Sequence, residues 1–232
     1  MSDLHFGIYP LRYEEVTDRL FLSHHIYPNM RRNYYWSDDF SAEYYIAQAK
    51  AGFIAVTDTF EGRELLLPEI QFSYAVLHFE DLHISRKVRT LLKKENPQLY
   101  MSEDIRQVAA KIQAYHQNCW LTSKYLQTLL ETQKIDENFH LLSFYLEKNG
   151  EMIAGEIGYA IGNIYTSLSG FSRKEKRFAN FGTAQLVMLS HFLQEHGFAF
   201  WNMGQPYMKY KFQLGAKCYE RGNFLKLWYE HC

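Results

Sequence analysis

One carboxylate lies inside the strands that the sequence predicts for its central region. Apolar runs separated by polar turns are typical of a three-stranded β-meander. The runs are residues 141–146, 152–160 and 164–169, with turns at Asn149-Gly150 and Gly162-Asn163. Pairing around the second turn places Glu156 opposite Ser169 and on the face away from Leu168, although a β-bulge would change that face. Because a carboxylate can exchange protons, we take Glu156 as a candidate site residue.

Two groups of basic residues are candidates for binding phosphate. Ser85 is a good helix N-cap, and apolar residues at helical spacing follow it, so an amphipathic helix with one cationic face is predicted. Its basic residues are Arg86, Lys87, Arg89, Lys93 and Lys94. A loop after the meander carries Arg173, Lys174, Lys176 and Arg177. The cationic face of the helix is either a binding surface or simply a solvated protein surface.

The sequence predicts no metal site. His24 and His25 are adjacent and would point in opposite directions on a strand, so they are poorly placed to share an ion. The three cysteines are widely spaced and form no CxxC pair. The sequence also has no nucleophile elbow, phosphate-binding Walker loop or dinucleotide fingerprint.

The other predicted elements alternate between helices and strands, without a glycine- or serine-rich linker between them. Helices are predicted over residues 41–51, from Ser85 onward, and over 102–117, 124–133 and 182–196. Strands are predicted over residues 52–57, 64–67, 74–79, 198–202 and 225–229. Residues 1–40 are predicted to form short strands and loops, and residues 209–217 to form a strand or a surface loop.

Composition favours an ordinary globular protein. Hydrophobic residues make up 47% of the 232 residues and charged residues 22%, and the formal net charge is −1, so any RNA contact must be local. Aromatic residues reach 17%, which suits either core packing or a pocket for apolar groups or bases. No window reaches the roughly 18 apolar residues that span a bilayer, and the first residues lack a secretory pattern. We therefore expect a cytoplasmic protein without membrane contact.

Five short sequence words carry a resemblance to a known family. In order, they are Leu82-His83-Ile84-Ser85-Arg86, Trp120-Leu121-Thr122, the hairpin at Gly150, Phe171-Ser172-Arg173 and Leu214-Gly215-Ala216. Their order and spacing resemble the leucyl/phenylalanyl-tRNA-protein transferases from about residue 65 to residue 218. The resemblance implies an α+β fold, with an acetyltransferase-like acyl-transfer domain and mixed sheet over residues 65–232 and a smaller N-terminal α+β domain over residues 1–64.

The resemblance also implies an activity. Such enzymes move leucine or phenylalanine from the 3′ end of aminoacyl-tRNA to the N-terminal amine of an acceptor protein or peptide. The ester already stores the required free energy, so no cofactor is implied. We further expect a monomer.

The same resemblance suggests site residues. Gln205 matches the glutamine of the family's Asp-x-Gln word, whereas Met203 or, with a one-residue slip, Asn202 takes the place of the acid. We take Gln205 and Asn202 as catalytic candidates. Candidates for substrate binding are Trp120, Glu156, Tyr165, Leu168, Ser169 and Phe171. Candidates for RNA binding are Arg86, Lys87, Arg89, Arg173 and Lys174.

Two departures from the family pattern leave alternatives open. Leu168 stands where the family has a second acid, and Asn202 cannot take up a proton. The chain is therefore interpreted as an aminoacyltransferase, as an acyl-transfer enzyme with a changed donor or acceptor, or as a binding protein that retains the pocket.

Overall fold

A mixed seven-stranded sheet forms the centre of the molecule in the computed structural model, which describes residues 8–232. Its strands are β5 (Ser73–Leu77), β6 (Leu99–Ser102), β7 (Phe139–Lys148), β8 (Glu151–Ile161), β9 (Ile164–Ser172), β10 (Phe200–Asn202) and β11 (Lys217–Glu220). The strand order is β11-β5-β10-β9-β8-β7-β6, with β9 and β10 parallel and the other neighbours antiparallel. Two smaller sheets pair β1 (Tyr9–Pro10) with β2 (Tyr35–Trp36), and β3 (Ile54–Phe60) with β4 (Arg63–Glu69).

Helices cover both faces of the central sheet. They are α1 (Tyr13–Thr17), α2 (Arg19–Phe21), which continues into a π-helical turn (Leu22–Ile26), α3 (Ala42–Lys50), α4 (Arg86–Glu95), α5 (Arg106–Tyr115), α6 (Ser123–Thr132), α7 (Phe181–Glu195), α8 (Lys209–Gln213) and α9 (Arg221–His231). Apolar residues of α3, α5, α6 and α9 form one buried cluster, and those of α4 and α7 form a second. The sheet thus lies between two hydrophobic layers.

Most predicted elements are confirmed because their end signals are local. Ser41 and Ser85 accept hydrogen bonds from the backbone of the first helical turns of α3 and α4. Asn149 and Gly150 both have positive φ angles, as the hairpin turn between β7 and β8 requires. The meander of β7, β8 and β9 is as predicted.

Three predictions of local structure are wrong. Residues 225–229 belong to helix α9 rather than to a last strand, and residues 209–217 contain the short helix α8. Within residues 8–40, the chain forms α1, α2 and the π-helical turn besides two short strands, and His24 and His25 lie on that turn. Contacts with the rest of the fold determine the secondary structure of these segments, because their hydrophobic periodicity is weak.

The predicted domain boundary lies inside a hairpin. Strands β3 and β4 pair continuously from Ile54 with Glu69 to Phe60 with Arg63, across residues 64 and 65. The larger apolar cluster also contains residues from both sides of that boundary, including Tyr44 and Trp228. The division into two domains therefore remains a prediction, and the two parts share one core. Residues 1–7 of the predicted N-terminal domain lie outside the described residues.

A β-bulge alters the predicted pairing of Glu156. Ile157 pairs with Ser169 and Gly158 with Ser167, so Leu168 has no partner on β8 and Glu156 pairs with Gly170, not with Ser169. Gly158 leaves room for Tyr165 at this bulge, because a Cβ atom at position 158 would lie only 2.4 Å from the Tyr165 hydroxyl oxygen. Leu168 packs against the cluster of α5 and α6, whereas Tyr165 belongs to the cluster of α7. The extra residue moves Phe171 to the same side as Leu168.

The buried guanidinium group of Arg221 joins three parts of the chain. Arg221 is fully buried and lies at the start of α9. It donates hydrogen bonds to the carbonyl oxygens of Ile26, Tyr27, Asn29, Arg32, Ile70 and Gln71, at 2.7 to 3.5 Å. These bonds use all the N–H donors of the guanidinium group. Five of the six carbonyl groups lie in loop segments, outside the helices and strands. The bonds hold the segment before β2 against the segment between β4 and β5.

We predict that Arg221→Met lowers the free energy of unfolding by about 3 kcal/mol, because it leaves several buried carbonyl groups without a donor. Urea titration followed by circular dichroism measures this loss. Arg106→Met is the matched control, since Arg106 forms only an exposed ion pair with Asp104 and such pairs contribute under about 1 kcal/mol. Equal stability of the two variants would contradict the role given to Arg221.

Candidate functional site

The parallel strands β9 and β10 separate after three residue pairs. They pair from Ile164 with Phe200 to Thr166 with Asn202. Beyond Asn202 the chain turns towards β5, where Met203 and Gly204 exchange backbone hydrogen bonds with Ala75. Strand β9 continues to residue 172 without pairing to β10. Ligands commonly bind at the carboxyl ends of such strands, so the β9–β10 gap is the candidate site.

Glu156 lies beneath this gap on the face of α7. Its carboxyl group is buried and accepts hydrogen bonds from the hydroxyls of Tyr165, at 3.0 Å, and Ser167, at 2.8 Å. The indole nitrogen of Trp201 donates to the same Ser167 hydroxyl at 2.8 Å. The structure thus brings two predicted site residues, Glu156 and Tyr165, into direct contact.

Burial raises the pKa of Glu156 to about 7. The hydrogen bonds from Ser167 and Tyr165 and the positive charge of Lys211 oppose this shift but do not cancel it. The same burial raises the pKa of the Tyr165 hydroxyl, which therefore remains a hydrogen-bond donor. Glu156 can consequently exchange a proton near neutral pH.

Lys211 fixes the chain segment that follows β10. Its buried ammonium group donates to the carbonyl oxygens of Met203, at 2.5 Å, and Gln205, at 2.7 Å. Burial lowers the pKa of Lys211 to about 8, and the nearby charge of Glu156 acts in the opposite direction. Sequence reasoning missed this lysine because an alternating charged and apolar run gives no sign of burial.

The side chain of Gln205 lies against a buried carboxylate. Its amide nitrogen donates to Glu69 at 2.7 Å and to the Tyr34 hydroxyl at 3.2 Å. The other oxygen of Glu69 accepts from the Asn33 amide nitrogen at 2.8 Å. Burial raises the pKa of Glu69 above its ordinary value, and the hydrogen bonds from Gln205, Tyr34, Asn33 and Gln71 act against this shift. No sequence pattern pointed to Glu69, which is 136 residues from Gln205.

The side chain of Asn202 stabilises the backbone turn that follows β10. Its side-chain oxygen accepts from the amide of Gly204 at 3.0 Å, and its nitrogen lies 3.4 Å from the Thr166 hydroxyl. Gly204 has a φ of 73°, which favours glycine, and the turn directs Gln205 towards Glu69. Asn202 is buried, so in this arrangement it shapes the segment that carries Gln205.

The other candidate substrate-binding residues line the opposite layer. Trp120 is half-buried and packs edge-on against Tyr125, with ring centroids 5.1 Å apart. Phe171 is buried in the same apolar cluster, against which Leu168 also packs. Ser169 is half-buried on β9. These aromatic and aliphatic groups are available to bind an apolar side chain, and their roles stay predictions.

The candidate RNA-binding residues do not form one surface. Arg86, Lys87 and Arg89 are exposed on α4, and Arg89 also donates to the carbonyl of Ile84 at 2.7 Å. Helix α4 packs with α7, whereas Trp120 packs in the layer of α5 and α6. The chain therefore presents α4 and Trp120 on opposite faces of the sheet.

The loop arginine and lysine are already engaged. Arg173 forms ion pairs with Glu151 and Glu175, which compensate its charge. Lys174 lies over the ring of Tyr115, with its nitrogen 4.7 Å from the centroid. Of the two, Lys174 is exposed and Arg173 is half-buried.

Neither a metal site nor a membrane-spanning helix is present in the part of the chain that the structure describes. Residues 8–232 contain no group of three or more histidine, cysteine, aspartate or glutamate side chains that could hold a metal ion. Among the same residues, no helix is long and apolar enough to cross a membrane. His24 bonds the carbonyl of Leu20, and His25 packs against Phe21.

We predict a pH-dependent stability that depends on Glu156. Since folding raises this pKa from 4.5 to about 7, the stabilisation of the neutral carboxyl is complete below about pH 4.5 and is lost as the pH rises through about 7. Between about pH 5.5 and 7.5 the wild-type free energy of unfolding should fall by about 2 kcal/mol more than that of Glu156→Gln. Urea titrations at both pH values measure it, and parallel profiles for the two proteins would refute the burial argument.

Comparison with known proteins gives a consistent family assignment. The family model described as leucyl/phenylalanyl-tRNA protein transferase matches residues 76–229. A protein named leucyl/phenylalanyl-tRNA–protein transferase from Pseudomonas fluorescens (strain SBW25) is 27% identical over 159 residues, which cover 67% of each chain. One of the same name from Shewanella pealeana is 29% identical over 150 residues, covering 63% of this chain and 60% of its own.

Among solved structures, the crystal structure of FemX has a TM-score of 0.43 at 10% identity, covering 64% of this chain and 59% of its own. The matched part of the chain spans about three-fifths to two-thirds of the length of the curated relatives. The family match itself contains the β9–β10 gap, Glu156 and Gln205. Because it extends over well over half of the residues, the chain belongs to the leucyl/phenylalanyl-tRNA protein transferase family.

Proposed function

We propose that the protein transfers an aminoacyl group from charged tRNA to the N-terminal amine of a protein or peptide. The observation that carries this proposal is the family match over residues 76–229, which includes the β9–β10 gap and Gln205. The relatives named above carry this activity in their names. The nature of the amino acid, leucine, phenylalanine or a related one, is part of the proposal.

The reaction needs positioning and proton transfer. The acceptor amine attacks the carbonyl carbon of the ester, a C–N bond forms, and the C–O bond to the tRNA ribose breaks. The amine loses a proton and the leaving ribose oxygen gains one. Since the ester is already activated, the protein has to hold the two substrates together and stabilise the charge that develops.

The residues at the gap suit these tasks. Gln205 offers an amide group at the end of the gap, and Lys211 holds its backbone in place. Glu156, with a pKa of about 7, is suited to exchanging a proton near neutral pH beneath the gap. The half-buried Trp120 and Leu168 and the buried Phe171 offer an apolar surface for the amino-acid side chain. The separation of parallel strands also supports the proposed acetyltransferase-like architecture.

The tRNA is proposed to approach from the cationic surfaces. Arg86 and Lys87 are exposed and free to meet phosphate groups, whereas Lys174 has to leave the ring of Tyr115 and the ion pairs of Arg173 have to open first. Contacts to phosphate need no particular base sequence, which suits a 3′ end common to all tRNAs. A monomer in the cytoplasm remains our expectation.

Purified protein mixed with leucyl- or phenylalanyl-tRNA and a peptide beginning with arginine should add one aminoacyl mass to the peptide, as measured by mass spectrometry. Gln205→Ala should slow the transfer about 100-fold, as for loss of one group that stabilises a transition state. The control is Gln127→Ala, because Gln127 lies on α6 and bonds only Glu131.

An unchanged peptide mass with both charged tRNAs would contradict the proposed activity. Binding of charged tRNA without transfer would instead indicate a binding protein, and transfer to a different amine would indicate a changed acceptor. The observation that favours testing these alternatives is that residues 202–205 contain no ionisable side chain, so this segment has no carboxylate of its own to take up the proton of the amine.

A further inference from the structure

Glu69 is a buried carboxylate in the candidate site that lies outside the family match. It ends strand β4, is only 5% exposed, and precedes the first matched residue by seven positions. Both of its oxygens are bonded, one to Asn33 at 2.8 Å and the other to Gln205 at 2.7 Å. An acid this deeply buried is costly unless its hydrogen bonds compensate for lost hydration.

The surrounding backbone fixes the position of this carboxylate. Tyr34 and Glu69 form an isolated antiparallel bridge, and the amide of Ile70 donates to the carbonyl of Asn33 at 2.8 Å. Arg221 binds the carbonyl oxygens of Arg32 and Ile70 on either side of this bridge. The carboxylate is therefore held by three separate segments of the chain.

An ionised carboxylate determines which end of a glutamine amide faces it. It can only accept hydrogen bonds, so the nitrogen of Gln205 turns towards Glu69. The same nitrogen also donates to the Tyr34 hydroxyl at 3.2 Å. The amide oxygen of Gln205 is directed away from the carboxylate and remains able to accept a hydrogen bond.

The segment after β10 contains no acid of its own. Residues 202–205 are Asn, Met, Gly and Gln, and Met203 is buried in the apolar cluster of α7. Any carboxylate that acts on Gln205 must come from elsewhere in the chain. Glu69 is the one that the structure places in hydrogen-bond contact with it, within the described residues.

We propose that Glu69 is the positioning residue for Gln205: it holds the amide so that the oxygen accepts an N–H of the attacking amine. This inference rests on the proposed function. Glu69, at the end of β4, would then supply the carboxylate that residues 202–205 lack. Gln71 adds a further polar group at the same place, since its buried side-chain oxygen lacks a partner among the described residues.

The test compares Glu69→Gln with Glu69→Asp in the transfer assay. The glutamine variant has the same shape but permits either amide orientation, so kcat should fall at least about tenfold while KM for charged tRNA changes less than about twofold. The aspartate variant keeps the carboxylate and should recover most of the lost kcat. Wild-type kcat in Glu69→Gln, or no recovery in Glu69→Asp, would overturn the proposal.

Glu64→Gln is the matched control. Glu64 lies on the same strand, but its carboxylate accepts from the Thr122 hydroxyl and not from Gln205. The control should keep wild-type kcat. Equal losses in the two glutamine variants would indicate a general effect on β4 and would overturn the specific role of Glu69.

A second readout separates this inference from the proposed function. In nuclear magnetic resonance spectra of protein labelled with ¹⁵N at glutamine, the side-chain amide of Gln205 is assigned by its loss in Gln205→Ala. Its protons should shift in Glu69→Gln and stay in place in Glu64→Gln. If the wild type transfers nothing but this shift occurs, only the proposed function fails; if no shift occurs, the positioning role fails.

Discussion

The buried guanidinium group of Arg221 is the constraint on which the site depends. Its N–H groups take the place of water as hydrogen-bond donors to backbone carbonyl groups of two segments that are distant in sequence, residues 26–32 and residues 70–71. A charge at such a position is tolerated because its donors are used. The segments that it joins carry Asn33 and Tyr34 on one side and Glu69 on the other. The helix α9 is thereby coupled to the arrangement around Gln205.

The central sheet contributes the rest of the site through two features. One is the β-bulge at Leu168, and the other is the separation of β9 from β10 after Asn202. The bulge at Leu168 places apolar side chains on the layer of α5 and α6, while Glu156 remains with Tyr165 on the layer of α7. The divergence of β9 from β10 opens the sheet between these layers. A carboxyl group with a pKa near 7 and an apolar surface thus lie on opposite sides of the same opening.

Sequence patterns predicted the elements whose signals are local. Serine N-caps and the Asn149-Gly150 turn were sufficient to locate α3, α4 and the meander, and ordered words identified the family. The partner of Glu156 was mispredicted because a bulge depends on packing between Gly158 and Tyr165. Arg221, Lys211 and Glu69 were not predicted, because their burial arises from contacts between residues far apart in sequence. The roles given to Gln205 and Trp120 remain predictions.

The central claim is that aminoacyl transfer takes place at the β9–β10 gap beside Gln205. A crystal structure with a non-hydrolysable 3′-amide analogue of aminoacyl-adenosine tests it most directly. We expect the aminoacyl carbonyl carbon to lie in the gap, close enough to Gln205 for an attacking amine to reach both that carbon and the Gln205 oxygen, with the Gln205 nitrogen still bonded to Glu69. An analogue bound away from the gap, or a Gln205 side chain turned away from both Glu69 and the ligand, would contradict it.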